Sequence, residues 1–496
     1  MILHLAAVVA ALAAGASGRP VRFEELAKIP RVAGVAVSPD GRLAAYTVST
    51  PDVAANASHS AVWVVPVGGE AAGRNGVGGE AKRVTSGENS DSDARFSPDG
   101  KTLAFLSTRD GTSEIWTMPV AGGDATKATS IPTGVDAFSW APDGKSFIAS
   151  ATVFPGCSDA ACLQKERDRR ANATVKGRIA DHVFIRHWNT WKDGTRSHIL
   201  RIPIAGGPYV DLTPGNRDAP PFSIGGGADW DVSADGRDLV YASNPDANES
   251  LSTNADVYVV PLAGPQNGGA KNLTAANLAF DGSPRYSPDG KWIAYRSQRR
   301  AGFEADRFRL MVLDRATGAS RSLTDALDAW VEDYRWAPDS KSIVFSTQLK
   351  GRDAFYRVAL SGGAPSAIWT GGGIAGFELS GGRIVFVSST LSRAPEVWTV
   401  GQDGRGAAPI THAADSVFAG LALGEVSERQ TASSDNRKLH AWIVKPPGFD
   451  PSKKYPAVFF IHGGPQGAWI DSWSTRWNPQ VWAAYGYVVY AANPRG

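Results

Sequence analysis

Cysteine is nearly absent from this sequence: Cys157 and Cys162 are the only two in 496 residues. Two thiols with no matching pair elsewhere make no zinc site, so a metal is not expected. In an exported chain they are expected to form a local disulfide that stiffens a loop. No charge sign dominates either, since 51 basic residues stand against 49 acidic ones and neither forms a long run. That balance excludes nucleic acid and acidic membrane surfaces as partners. Long apolar runs are missing as well. Leu5–Ala14 is too short for a membrane span, which takes ~20 residues. Followed by Ala14-Gly15-Ala16, and with no Lys or Arg before it, it reads as a signal peptide over residues 1–18 and implies export to the periplasm or beyond. Helical periodicity is scarce until the C-terminal end. Finally, no Gly-x-Ser-x-Gly, the nucleophile elbow of α/β-hydrolases, occurs in the 496 residues.

What is abundant is glycine and proline, 54 and 31 residues, arranged as a repeat. Ser38-Pro39-Asp40-Gly41 recurs as Ser97-Pro98-Asp99-Gly100, Ala141-Pro142-Asp143-Gly144 and Ser233-Ala234-Asp235-Gly236. It returns at Ser287-Pro288-Asp289-Gly290 and Ala337-Pro338-Asp339-Ser340, then decays to Ser380-Gly381-Gly382. Proline fixes φ, aspartate bonds back to the backbone and glycine takes positive φ, which makes a hairpin turn. Each copy leads into an apolar strand and then a third strand ending in small residues, as in IWTMPVAGG from Ile115. A fourth short strand is expected at Val84-Thr85, Ala128-Thr129, Leu212-Thr213, Leu273-Thr274, Leu323-Thr324, Trp369-Thr370 and Ile410-Thr411. Four strands per unit and seven units, at intervals mostly of roughly 43 to 59 residues, predict a seven-bladed β-propeller over residues 32–420. Residues 19–31 form an N-terminal segment before it. Trp63, Trp116 and Trp398 fall at strand positions expected to be core.

The interval between Ala141 and Ser233 is far longer than the others, and the excess lies between the second and third strands of blade three. This loop carries Cys157, Cys162, a charged stretch from Lys165 to Arg170 and an aromatic-basic one from His182 to His198. Two readings fit: an extra hairpin packed on the blade, or a cavity wall with Arg186, Trp188 and Trp191 facing a ligand. Blades one and seven each supply their own four strands. The ring seam is therefore expected to rest on side-chain packing, without an interblade ladder, and to open more readily than the rest. The glycine-rich stretch from Gly68 to Gly79 reads as a loop without function.

After Thr411 the repeat stops. Ser427–Ser433 and Lys438–Lys445 read as strands. Tyr455–Ile461 reads as a buried strand of an α/β sheet that runs into His462-Gly463-Gly464-Pro465. Val481–Tyr485 is helical, and Tyr487–Ala492 is a strand ending in Asn493-Pro494-Arg495-Gly496. The diglycine lets the backbone turn sharply at a strand's C-terminal end, where ligands sit in such sheets. N–H groups exposed there can meet a tetrahedral oxyanion. A plain strand-to-loop turn fits the same four residues, and His462 as a general base fits them less well. Residues 421–496 thus read as the N-terminal part of an α/β-hydrolase domain cut off before its serine.

Turn signatures joined to FFIHGGPQGAW (Phe459–Trp469), WNPQVWAAYGYVV (Trp477–Val489) and Asn493–Gly496 resemble the prolyl oligopeptidase family of serine peptidases. Within it, the chain is similar to the secreted bacterial dipeptidyl-aminopeptidase/acylaminoacyl-peptidase branch. The resemblance implies a propeller capping an α/β-hydrolase domain and hydrolysis of short peptides through an acyl-enzyme. It places His462, Gly463 and Gly464 in the oxyanion-side loop and adds Arg495 as a substrate contact. The serine, aspartate and histidine of the triad have no counterpart here. Dipeptidyl members hold the peptide amino terminus with propeller carboxylates, and Glu166, Asp168, Asp181 and Asp193 are the candidates in the long loop. No cofactor is implied. Expected partners are a short peptide and, in the intact protein, a second copy through the hydrolase domain. A non-enzymatic binding propeller, or a hydrolase of another ester or amide on the same scaffold, stay open as alternatives.

Overall fold

The computed structural model describes residues 18–68, 79–86, 88–175, 177, 186–187, 190–191, 194–221, 229–265, 269–464 and 466–494, with the side chains of 186–187 and 190–191 excepted. The chain divides into two compact units. One comprises residues to 88, 346–356 and from 367 onward, and the other 89–345 and 357–366.

Between Arg31 and Pro409 the described residues form seven successive four-stranded sheets, each with its strands side by side in chain order. The second shows the pattern: Asp91–Phe96, Thr102–Ser107, Glu114–Pro119 and Thr126–Lys127, all antiparallel. The turn chemistry explains why the repeat is so regular. Ser97 Oγ donates to Asp99 Oδ1 (2.6 Å) and accepts from the Thr102 amide (2.9 Å), while Gly100 sits at φ 71°. The same two bonds recur at Ser38, Ser233 and Ser287. The serine hydroxyl holds each aspartate below the ordinary carboxylate range. First strands carry a second recurring device, a bulge with positive φ at Gly34, Asp93, Ser283 and Gly376.

In the sixth sheet the expected Trp369-Thr370 lies within the fourth strand, Ser366–Gly371, but in the other six the fourth strand begins about two residues before the expected position, as at Lys82–Arg83, Thr126–Lys127 and Val210–Asp211. The threonines that follow are caps, not strand members. Thr85, Thr129, Thr213, Thr274, Thr324 and Thr411 each accept, through Oγ1, the amide of a third-strand residue (Val62, Ile115, Ile199, Val257, Leu310, Val397) at 2.8–3.0 Å. Trp63, Trp116 and Trp398 are half-buried, not core. Arg109 lies over the Trp116 ring at 4.5 Å, and all three indoles sit on third strands, which the two-residue fourth strands cover only in part.

The long insertion in the third sheet is no plain loop. Ala160–Ala171, which contains Lys165–Arg170, is an α-helix whose N-cap Asp159 accepts the Cys162 amide at 2.8 Å. Cys157 and Cys162 form a disulfide across that cap, with Cα atoms 5.3 Å apart. Arg186–His187 and Thr190–Trp191 pair as a small antiparallel hairpin.

Sheets one and seven, both in the first unit, meet through side chains. Val32, Tyr46, Val48 and Val65 pack with Val385, Val387, Val397 and Ile410. A backbone link with no signature in the sequence is added: Arg19–Pro20 pairs in parallel with Leu421–Ala422. Behind it, Leu26 and Ile29 pack on Ala394, Ala414 and Trp473.

The C-terminal sheet comprises β1 (Val426–Ala432), β2 (Lys438–Val444), β3 (Ala457–Phe460) and β4 (Val488–Asn493), in the order β1-β2-β4-β3. Between β3 and β4 lies α1 (Pro479–Ala484), started by an Asn478 cap and Pro479 at its first position. The expectation of a buried strand at Tyr455–Ile461 is corrected. β3 is an edge strand among the described residues; Phe460 is buried, but Phe459 is 59% and Ile461 80% exposed. Only one edge of β3 is paired, by β4, so one flank stays open.

Candidate functional site: the loop after β3

β3 runs parallel to β4, with Phe459 opposite Tyr490 and Phe460 opposite Ala491. Both strands therefore end side by side, and His462-Gly463-Gly464 leaves from that end. His462 Nδ1 donates to the Gly463 carbonyl at 2.8 Å, so the ring proton is committed there. Nε2 is buried and has no hydrogen-bond partner among the described residues. Gly464 has φ 137°, and a Cβ on it would stand 2.7 Å from the Gln466 nitrogen and 3.0 Å from that of Gly467. Only glycine lets two successive amides fold this closely over a preceding residue. Gly467 is confined likewise, its Cβ position lying 3.1 Å from the Gly463 carbonyl oxygen. The exposed Gln466 and Gly467 amides thus lie close together beside Gly464, and backbone N–H groups are the donor type that an oxyanion needs.

The segment that follows is tied down by side chains whose roles the sequence did not reveal. Asn493, the last residue of β4, accepts the Trp469 amide through Oδ1 (2.6 Å) and donates through Nδ2 to the Trp469 carbonyl (2.9 Å). Its Nδ2 also lies 2.9 Å from Nδ1 of His440, the residue directly opposite it on β2. Trp442 Nε1 donates to the same Trp469 carbonyl at 3.1 Å, and Trp469 Nε1 returns a bond to the Phe460 carbonyl at 3.2 Å. Asp471 continues the stitching: its amide donates to Gly351 O (2.8 Å), and its carboxylate accepts the Leu391 amide (2.7 Å). Burial pushes the Asp471 carboxyl up, against the pull of that amide and of Arg352. Arg352 pairs with Glu428 and lies 4.8 Å over the Trp442 ring. A sequence signal existed in Asn493, the last residue of the strand before proline, but its partners lie far away along the chain.

The other expected residues are not brought together here. Arg186 and Trp191 are register partners in the insertion hairpin, whereas Trp188, Arg495, Pro465, Asp181 and Asp193 lie outside the described residues. Glu166 spends its carboxylate on Arg169 and Arg170, whose hydrogen bonds hold it down at about 2, and Asp168 accepts from Gln164. Neither is a free carboxylate waiting for an ammonium group.

A second concentration of charge, also unforeseen, lies on the first strands of sheets four to six. Asp333 is flanked by Arg335 (2.7 Å) and Arg285 (3.5 Å); burial raises its pKa, but the two guanidiniums outweigh it and the net shift is downward. Asp231 accepts the Tyr286 amide at 2.8 Å, and there burial wins, raising the carboxyl. Alternation along such a strand puts residues i and i+2 on one face, so Asp333-x-Arg335 was a readable pair.

No family model matches the chain. A curated relative, dipeptidyl-peptidase 5 of Porphyromonas gingivalis, is 29% identical over 487 residues, covering 97% of this chain and 68% of the relative. Among solved structures, acylaminoacyl peptidase of Pyrococcus horikoshii superposes with a TM-score of 0.69 at 17% identity, over 96% of this chain and 66% of that one. A prolyl endopeptidase superposes at 0.59 and 15% identity, over 100% and 65%. The chain is thus similar to peptidases of the prolyl oligopeptidase family. The structural likenesses show the fold, and the chain spans about two thirds of the length of these relatives. The His462-Gly463-Gly464 loop follows β3, and Asn493 is the last residue of its parallel partner β4.

Proposed function

We propose that this chain supplies the propeller and the opening portion of the hydrolase domain of a serine-type peptidase acting on short peptides. In this reading the seven sheets are blades of one ring over residues 32–420, and the hydrolase portion starts near residue 421. A serine activated by histidine attacks the scissile carbonyl, an aspartate orients the histidine, and water releases the acyl group. Backbone N–H groups of the Gly463–Gly467 loop stabilise the oxyanion, each donor in such a site contributing ~2.7–4 kcal/mol. The observation that carries the reading is the Gly464 turn, whose neighbouring amides converge at the C-terminal end of a parallel strand. The names of the relatives favour dipeptidyl- or acylaminoacyl-peptidase activity within the class. Arg186, Trp188, Trp191 and Arg495 are the substrate contacts of this proposal, and export follows from the apolar stretch at Leu5–Ala14.

The complete protein should cleave dipeptidyl or acyl-amino-acid chromogens and react with an active-serine phosphonate. The 496-residue chain, which contains no Gly-x-Ser-x-Gly, should remain unlabelled. Losses of ~10⁶-fold are typical when nucleophile and base are removed. Stoichiometric labelling of the 496-residue chain, or cleavage of simple esters alone by the complete protein, would overturn the reading.

A further inference from the structure

Asn493 meets Trp469 with both ends of its amide, and this settles which end is which. The Trp469 N–H can be met only by Oδ1 and the Trp469 carbonyl only by Nδ2. Nδ2 is therefore the atom that faces His440 Nδ1 at 2.9 Å, and Nδ1 must be the acceptor. The ring proton of neutral His440 then sits on Nε2, which points at Glu428 Oε2 3.6 Å away. We infer that Asn493 is a positioning residue for the loop after Gly464 and that it holds Trp469 only while His440 is neutral. Its bearing on catalysis rests on the oxyanion reading above; the clamp itself does not.

Protonation places N–H on both sides of the Asn493–His440 contact, where one acceptor is required. The charged ring is drawn instead toward Glu428, the carboxylate on β1, and away from Asn493. Two groups restrain this motion. Arg352, on the third strand of sheet six, already engages Glu428 and repels the imidazolium. Gly351 closes the space beside the ring, a Cβ there lying 2.5 Å from His440 Cε1. Asp471, the remaining charge near the Glu428–Arg352 pair, is occupied by the Leu391 amide. Burial holds the imidazole below its ordinary range, against Glu428, so the neutral form prevails at neutral pH and the clamp loosens on acidification. The sign for stability is the same. The unfolded chain binds the proton more readily than the folded one, so this contribution is full above about 6.5 and falls away as pH drops through the lower folded value.

Hydrogen exchange read by mass spectrometry on the 496-residue chain tests this without substrate. Peptides covering residues 466–471 should show the Trp469 amide protected at pH 7.5. After correction for intrinsic exchange, protection should fall about tenfold by pH 5, the scale of one lost hydrogen bond. His440→Asn keeps an acceptor near the Nδ1 position and cannot titrate, so its protection should be independent of pH. Asn493→Ala should show the low value at both pH values. Protection that ignores pH in the unaltered chain, or that survives in Asn493→Ala, overturns the inference. Activity of the complete protein carrying Gly464→Ala probes the oxyanion reading separately, so the two can fail independently.

Discussion

At the scale of single residues, a buried threonine recurs in six of the seven sheets, capping the third strand. Thr129 shows why. Its Oγ1 accepts the Ile115 amide at 2.9 Å and donates to Glu114 Oε2 at 2.6 Å, while Glu114 also accepts the Ile131 amide at 2.7 Å. Glu114 is buried, and burial pushes its carboxyl up against these two donors. Thr411 and Glu396 repeat the arrangement in the seventh sheet. Thr129→Val keeps the shape but leaves one buried amide unpaired and a carboxylate short of a donor. The expected loss is ~1–3 kcal/mol in urea unfolding near neutral pH, with Thr129→Ser restoring most of it. The pH dependence follows from the raised carboxyl. A folded-state value above the unfolded one means stability is lost as pH rises through the interval between them. Removing a donor widens that interval, so the deficit of Thr129→Val should be larger at pH 7 than at pH 4.

At the scale of elements, what was legible was whatever a few adjacent residues encode by themselves. The Ser-Pro-Asp-Gly turns close through bonds spanning five residues, as from Ser97 to Thr102, so their fourfold strand pattern could be read directly. The helix Ala160–Ala171 could not: only Leu163 of its residues is buried, so it has no apolar stripe to announce a period. Six of the fourth strands were misplaced because the apolar-threonine pairs that look like strands follow strands that begin about two residues earlier, whereas Trp369-Thr370 was placed within its strand. β3 was misjudged because an apolar run at a sheet edge reads the same as one at its centre. In the site, the diglycine turn was visible, but the Asn493–Trp469–His440 clamp depends on a pairing of residues 53 positions apart. Gly351 belongs to the same invisible class. It has φ 75°, and its missing Cβ leaves room for His440 and for Trp442 Nε1, 3.1 Å from that position. Gly351→Ala should shift the Trp442 fluorescence and destabilise the chain by ~1–3 kcal/mol, from a strained left-handed backbone and a displaced ring pair. An unchanged spectrum and midpoint would show that the ring pair is not held there.

At the scale of the whole molecule, the question the repeat raises is what joins its first and last sheets, both in the first unit. Sheets one and seven share no ladder, and the packed valines between them are the first part of the answer. The second part is the N-terminal segment. Arg19–Pro20 pairs with Leu421–Ala422 just beyond the seventh sheet, and Ile29, fully buried, packs with Ala394, Ala414 and Trp473. Trp473 in turn stacks edge-on against Phe418 at 5.1 Å, and its amide donates to the Ser389 Oγ of the seventh sheet at 3.1 Å. One short segment thus joins the residues that enter sheet one, the third strand of sheet seven and the chain that leads into the C-terminal sheet. Ile29→Ala removes three carbons from this cluster, a change that costs ~2–5 kcal/mol in a packed core. Because the cluster bridges elements distant in sequence, its loss should show as local opening before global unfolding. Hydrogen exchange should quicken in Arg31–Val37 and Gly373–Ser380, and Trp473 emission should move toward that of a solvated indole. Asp91–Phe96 and Asp281–Tyr286, in sheets that contain none of these residues, should exchange as before. A uniform rise across all four stretches would mean that the segment stabilises the fold as a whole and is not a latch on the seam. No change in any of them would mean that the valines alone keep sheets one and seven together.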